Sequence, residues 1–117
     1  MDVHRVLSSA VHHGASDLHL QTGSPPVARV HGVLSTLQMD PLSCDDLEAV
    51  VAQIASDTVK QTLAKDLSAD FAYVTDVGRF RVNIYHERGQ LCIAFRLVPF
   101  AVPTIEQLNL PPVIREI

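Results

Sequence analysis

Residues 79–97 read Arg79-Phe80-Arg81-Val82-Asn83-Ile84-Tyr85-His86-Glu87-Arg88-Gly89-Gln90-Leu91-Cys92-Ile93-Ala94-Phe95-Arg96-Leu97. Two alternating runs flank a turn signal at Glu87-Arg88-Gly89. Successive strand side chains point to opposite faces, so Phe80, Val82 and Ile84 lie together and Arg79, Arg81, Asn83 and Tyr85 lie opposite them. In the return strand Leu91, Ile93, Phe95 and Leu97 share a face, and Gln90, Cys92, Ala94 and Arg96 take the other. The apolar faces must coincide, which limits the register to steps of two. If Arg88-Gly89 is a two-residue turn, Glu87 pairs with Gln90 and Arg81 lies directly opposite Arg96. A two-residue shift makes them diagonal neighbours. In both registers Arg81 and Arg96 share a face, with Arg79 next to them.

Like charges directly opposite across strands repel, on the usual scale of ~0.2–1 kcal/mol for cross-strand pairs. An anion between the two guanidinium groups removes that cost, because their forks match phosphate or carboxylate oxygens. Pattern alone favours a plainer reading. The arginines are solvated, or they pair weakly with the acids Asp45, Asp46, Glu48, Asp66 and Asp70.

Outward from the hairpin, Phe71 to Thr75 reads as a preceding strand, closed by the turn Asp76-Val77-Gly78. Upstream lie helices. Ser43 and Asp46 resemble a capping box, followed by the stripe Leu47, Val50, Val51 and Ile54. A shorter helix is expected after Asp57, with Val59 and Leu63 turned inward. Further upstream, Ser16 to Gln21 alternates as a half-buried strand. Val27 to His31 and Val33 to Leu37 read as two more, joined tightly at His31-Gly32. The chain opens on a helix from about Val3 to His13. Val3, Val6, Leu7, Ala10 and Val11 form one stripe, with Asp2 as cap and Gly14 at the end. Helix, strands, helices, strands, without repeated β–α–β alternation, predicts an α+β domain built on an antiparallel sheet. Pro99 and Pro103 mark a linker. Thr104 and Gln107 suit a single capped turn, and Pro111 to Ile117 reads as the opening of a helix that continues beyond the chain.

The chain has 117 residues, of which 47% are hydrophobic and 19% charged, enough for one ordinary core. Net charge is −4, which argues against generic nucleic-acid binding. The charge is unevenly spread. Residues 39–76 carry eight acids and two lysines, a balance of −6, whereas residues 77–98 carry four arginines and one glutamate, a balance of +3. Two cysteines, Cys44 and Cys92, suggest a reducing compartment. No apolar run reaches the ~20 residues of a membrane span, and no signal peptide is evident at the start. A cytoplasmic location is expected.

The stretches Gly14-Ala15-Ser16-Asp17-Leu18-His19-Leu20, Pro25-Pro26, Val30-His31-Gly32, Asp70-Phe71, Arg79 to Asn83, Arg88-Gly89, Phe95-Arg96 and Pro99 follow one another in a telling order. That order resembles the N-terminal domain of the type IV pilus twitching-motility (retraction) ATPases, the PilT type, within the secretion-ATPase superfamily. The tail from Pro103 to Val113 resembles the stretch leading into their ATPase core. The likeness covers nearly the whole chain and rests on the ordered set rather than on one motif. It implies a PAS-like fold, an antiparallel sheet with flanking helices, for residues 1–98. Residues 99–117 would be a linker and the start of a RecA-like ATPase core. It further implies a homo-hexameric parent, using ATP and Mg²⁺ to power pilus retraction at the cytoplasmic face of the inner membrane. The implied partners are RecA-like cores of its own and neighbouring subunits and, indirectly, the pilus inner-membrane machinery, with no nucleic acid. Arg81 and Arg96 best match the arginines that help contact nucleotide phosphates as the ring closes. Arg79 comes next, and Arg88 follows the family's Arg-Gly at the hairpin tip.

The family hydrolyses ATP with a Gly-x-x-x-x-Gly-Lys-Ser/Thr loop, and this sequence contains none. The chain alone is therefore expected to hydrolyse no ATP and to carry no catalytic residue or cofactor; turnover by the purified chain, free of contaminants, contradicts that. A pilus-assembly or type II secretion ATPase is the alternative within the superfamily. Those usually carry further N-terminal domains, whereas here the first helix follows Met1 directly. A stand-alone PAS-like sensor needs an internal pocket with convergent polar groups, which this aliphatic core scarcely offers. An oligonucleotide binder needs a stacking platform, and the arginine face offers only Tyr85. The six histidines show no zinc-like spacing. Ser16, Asp17 and His19 make no catalytic triad, because neighbouring strand residues face opposite ways; Asp17 could pair with His19. Cys44 sits at a helix N-terminus, a position that can lower a thiol pKa.

Overall fold

The computed structural model describes residues 2–98. The expected linker, capped turn and helix opening within 99–117 lie outside the described residues. In chain order the elements are α1 (Val3–His12), β1 (Ala15–Gln21), β2 (Val27–Val30), β3 (Val33–Thr36), α2 (Cys44–Ile54), α3 (Asp57–Asp66), β4 (Ala69–Thr75), β5 (Gly78–Glu87) and β6 (Gln90–Val98). The six strands form one sheet in the order β3-β2-β1-β6-β5-β4, and every described pairing is antiparallel. This is the expected α+β arrangement. The first strand and the last lie side by side at its centre.

Local chemistry explains most boundaries. Asp2 caps α1 by accepting from the backbone N–H groups of His4 and Arg5, and Gly14 just past the end has a positive φ of 84°. Ser43 and Asp46 form the expected reciprocal capping box on α2. Ser56 caps α3 through the Val59 N–H. Both short hairpin turns have two consecutive positive φ values, 51° and 80° at His31-Gly32 and 54° and 78° at Arg88-Gly89. Type I′ turns require that pair of angles, and their twist matches the strands they join.

The helices cover one face of the sheet. α1 lies against β1, α2 against β6 and α3 beside β4. Val3, Val6, Leu7 and Ala10 of α1 and Leu47, Val50, Val51 and Ile54 of α2 are buried in a common core. Leu18, Leu20, Phe80, Val82, Ile84, Ile93 and Phe95 meet them from the strands. α3 buries no residue fully; its Val59 and Leu63 only lean on the core. The opposite face of the sheet carries Asp17, Arg29, Asp70, Arg79, Arg81, Asn83 and Arg96 among smaller apolar residues such as Ala72 and Ala94.

Candidate functional site: an arginine pair between two carboxylates

Register partners draw one line across that open face, through all six strands: Leu34, Arg29, Asp17, Arg96, Arg81 and Ala72. The two-residue turn pairs Glu87 with Gln90, and Arg81 falls directly opposite Arg96. Of the two registers open to the sequence, the structure adopts the first.

Each arginine is held from its outer side. Arg96 donates through Nε to Asp17 Oδ2 at 3.2 Å, and Arg81 donates through Nε to Asp70 Oδ1 at 3.2 Å. Across the sheet the order is therefore acid, arginine, arginine, acid. The side chains of Arg96 and Arg81 remain 75% and 68% exposed. At that exposure each ion pair is worth about 0–1 kcal/mol, comparable with the like-charge cost it offsets. The pairs steady the arginines without consuming them, since one contact through Nε leaves further guanidinium N–H donors on each.

The two acids differ. Asp17 is only 10% exposed. Its second oxygen accepts from Ser16 Oγ–H at 2.7 Å. The β1–β2 register shifts between Ala15 and Asp17, the mark of a bulge. A bulge re-aims a side chain, and Ser16 Oγ also reaches the Arg29 carbonyl at 3.4 Å. Partial burial pushes the Asp17 carboxyl up, but the Ser16 and Arg96 hydrogen bonds and the charges of Arg96 and His19 outweigh it. The net pKa lies below the usual carboxylate range. Asp70 is 50% exposed and also accepts from Asn83 Nδ2 at 3.4 Å.

Among the acids named from the sequence, Asp70 is the one that meets the arginine pair. Arg96 is met instead by Asp17, whose expected partner from the sequence is His19. Arg96 and Asp17 are 79 residues apart, so only strand order could reveal the contact. Arg29, the other cation in register with Asp17, turns back to the Gly32 carbonyl at 3.1 Å. Arg79 lies two residues from Arg81 on the same face, between Val74 and Val98, with no ion pair among the described residues. Arg88 is not brought to the pair. It sits at the hairpin tip, roughly 20 Å from Arg81 at ~3.3 Å per strand residue.

Both cysteines depart from a simple reading. The Cys44 thiol is raised rather than lowered, by desolvation, then by the Glu48 carboxylate and the charge of Asp45. Cys92 lies on the arginine face by alternation, opposite Tyr85, yet it is 2% exposed, and burial pushes its thiol up. The cavity that α1 closes against the sheet, among Leu7, Ala10, Leu18, Phe80 and Phe95, measures about 10 Å³. That cavity is too small to hold a ligand. Among the described residues no helix is long and apolar enough to cross a membrane.

No family model matches the chain. Individual relatives do. The type IV pilus retraction ATPase PilT of Pseudomonas aeruginosa is 33% identical over 118 aligned positions, which span 100% of this chain and 34% of PilT. The type IV pilus ATPase PilU of the same organism is 27% identical over 100% of this chain and 31% of its own length. Among solved structures, the pilus retraction motor PilT with bound ADP matches with a TM-score of 0.83 and 31% identity, over 95% of this chain and 33% of that one. The Legionella pneumophila ATPase DotB matches with a TM-score of 0.71 and 28% identity, over 93% and 31% of the two chains. The chain spans about a third of the length of these relatives. In sequence over its whole length, and in fold over nearly all of it, this chain matches the N-terminal part of the pilus retraction ATPase PilT.

Proposed function

We propose that this domain serves a hexameric ATPase that powers pilus retraction and twitching motility, where Arg81 and Arg96 contact nucleotide phosphates. In this reading ATP and Mg²⁺ are held by a RecA-like core, of the same subunit or its neighbour, that residues 99–117 would lead into. Arg79 stands beside the pair as a further cation for the same phosphates. Arg88, at the far end of the hairpin, lies outside the cluster and meets a phosphate only if the tip reaches a separate nucleotide. The motor works in the cytoplasm at the inner-membrane face, and meets the pilus machinery through its ATPase core.

One observation carries the reading. Two arginines stand directly opposite each other on an exposed sheet face, with guanidinium donors left for a ligand. Phosphate suits such a pair because adjacent forks can grip several oxygens at once. Charge placed this way, where negative charge gathers during phosphoryl transfer, favours the reaction. The chemistry itself falls to the core, since this chain lacks the phosphate-binding loop.

The test uses the full-length ATPase carrying this domain. Arg81→Ala and Arg96→Ala should each lower ATP turnover by roughly tenfold or more, on the scale of ~1.5–3 kcal/mol for a hydrogen bond to a charged group. The domain should stay folded, its melting temperature falling by no more than the several degrees that losing one ion pair of about 0–1 kcal/mol implies. Wild-type turnover in both variants rejects the phosphate role.

A further inference from the structure

Arg81 and Arg96 face each other, but they are not held alike. Arg96 lies directly opposite Asp17, so its contact needs no sideways reach. Asp17 has both oxygens engaged, by Ser16 and by Arg96, and is nearly closed to solvent. A nearly buried carboxylate that loses its cation is left poorly compensated. Arg81 stands opposite Ala72 and reaches diagonally to Asp70, whose own register partner is Asn83. Asp70 is half-exposed, so water can take the place of a departing guanidinium. Asn83 Nδ2 already donates to its other oxygen. The small Ala72 side chain leaves space beside Arg81.

We propose that Arg81 is the exchangeable arm of the pair: it leaves Asp70 for an incoming phosphate, while Arg96 stays on Asp17 and fixes where that phosphate sits. This inference rests on the phosphate reading above and adds an order of events to it. Asp17 is then a positioning residue acting through Arg96. Asp70 is a competitor that parks Arg81 when no phosphate is near. The lowered pKa of Asp17 fits its part, because the carboxylate keeps its charge across the neutral range. The bulge at Ser16 fits it too, since it supplies the second bond that locks Asp17.

The experiment follows the Nε–H signals of Arg81 and Arg96 by ¹⁵N NMR in the full-length ATPase carrying this domain, with Mg²⁺ withheld so that ATP is bound but not consumed. ATP is added at low ionic strength, with adenosine as the uncharged control. The Arg81 signal should move several times further than the Arg96 signal, and adenosine should move neither. Asp70→Asn should tighten ATP binding about threefold, the scale of one exposed ion pair. Asp17→Asn should not tighten it, because freeing Arg96 offsets the charge removed. Arg96 moving as far as Arg81, or Asp17→Asn tightening binding as much as Asp70→Asn, overturns the exchange and leaves the phosphate reading standing. Silence of both signals with ATP, or equal movement with adenosine, overturns both.

Discussion

Asp17 gives the arginine site its pH dependence. Burial raises its pKa, and the bonds from Ser16 and Arg96 more than reverse that rise. The folded chain therefore holds the Asp17 proton less readily than the unfolded chain. Stability from this source is complete above the unfolded carboxylate value and is lost as pH falls through the lower folded value. Arg96→Ala should cost up to about 1 kcal/mol at neutral pH, since the guanidinium is largely exposed. That difference should shrink toward zero in acid, below the carboxylate range. Urea denaturation of both proteins across a pH series measures it; a gap that persists undiminished in acid assigns the loss to packing. The shared face of Arg81 and Arg96 was legible in the sequence, because alternation sets it locally, whereas their direct opposition was one of two registers that the structure decided. The Asp17 contact was not legible, because its partner arrives from a distant strand.

At the scale of elements, the β5–β6 turn holds the site in register. Arg88 and Gly89 both occupy the left-handed region. Arg88 accepts some strain there, so Gly89 is the residue that makes the turn affordable. Gly89→Ala should destabilise the chain by about 1–2 kcal/mol, the usual left-handed penalty for a residue with a Cβ. A thermal melt checks this, and an unchanged melting temperature argues against a type I′ turn. A slipped turn would also shift Arg81 away from Arg96, so the same variant should blunt the response of Arg81 to ATP. The α2 capping box could be read directly from Ser43 and Asp46, because such boxes are local. The packing of α3 was legible only in part. Val59 and Leu63 lie inward as expected, but two apolar residues four apart do not bury a helix.

For the whole molecule, the pairing of β1 with β6 is decisive. It joins the first three strands to the last three and brings Asp17 to Arg96. Phe95 sits on β6 beneath this seam at 1% exposure, edge-on to Phe80 with ring centroids 6.3 Å apart. Phe95→Ala should cost about 3–5 kcal/mol, a large part of the ~5–15 kcal/mol of a typical domain. A marked fall in the urea midpoint is the expected result; a small one would mean the core closes around the gap. By itself, the sequence determined the α+β class, the caps of the first two helices, the positions of both tight turns and the shared face of the arginines. Each follows from residues within a few positions of one another, where periodicity and turn chemistry act. Tertiary structure alone decided the strand order, the pairing of Arg96 with Asp17 and the burial of Cys92. These depend on which distant strands meet, and alternation says only which face a residue takes, not which strand lies beside it.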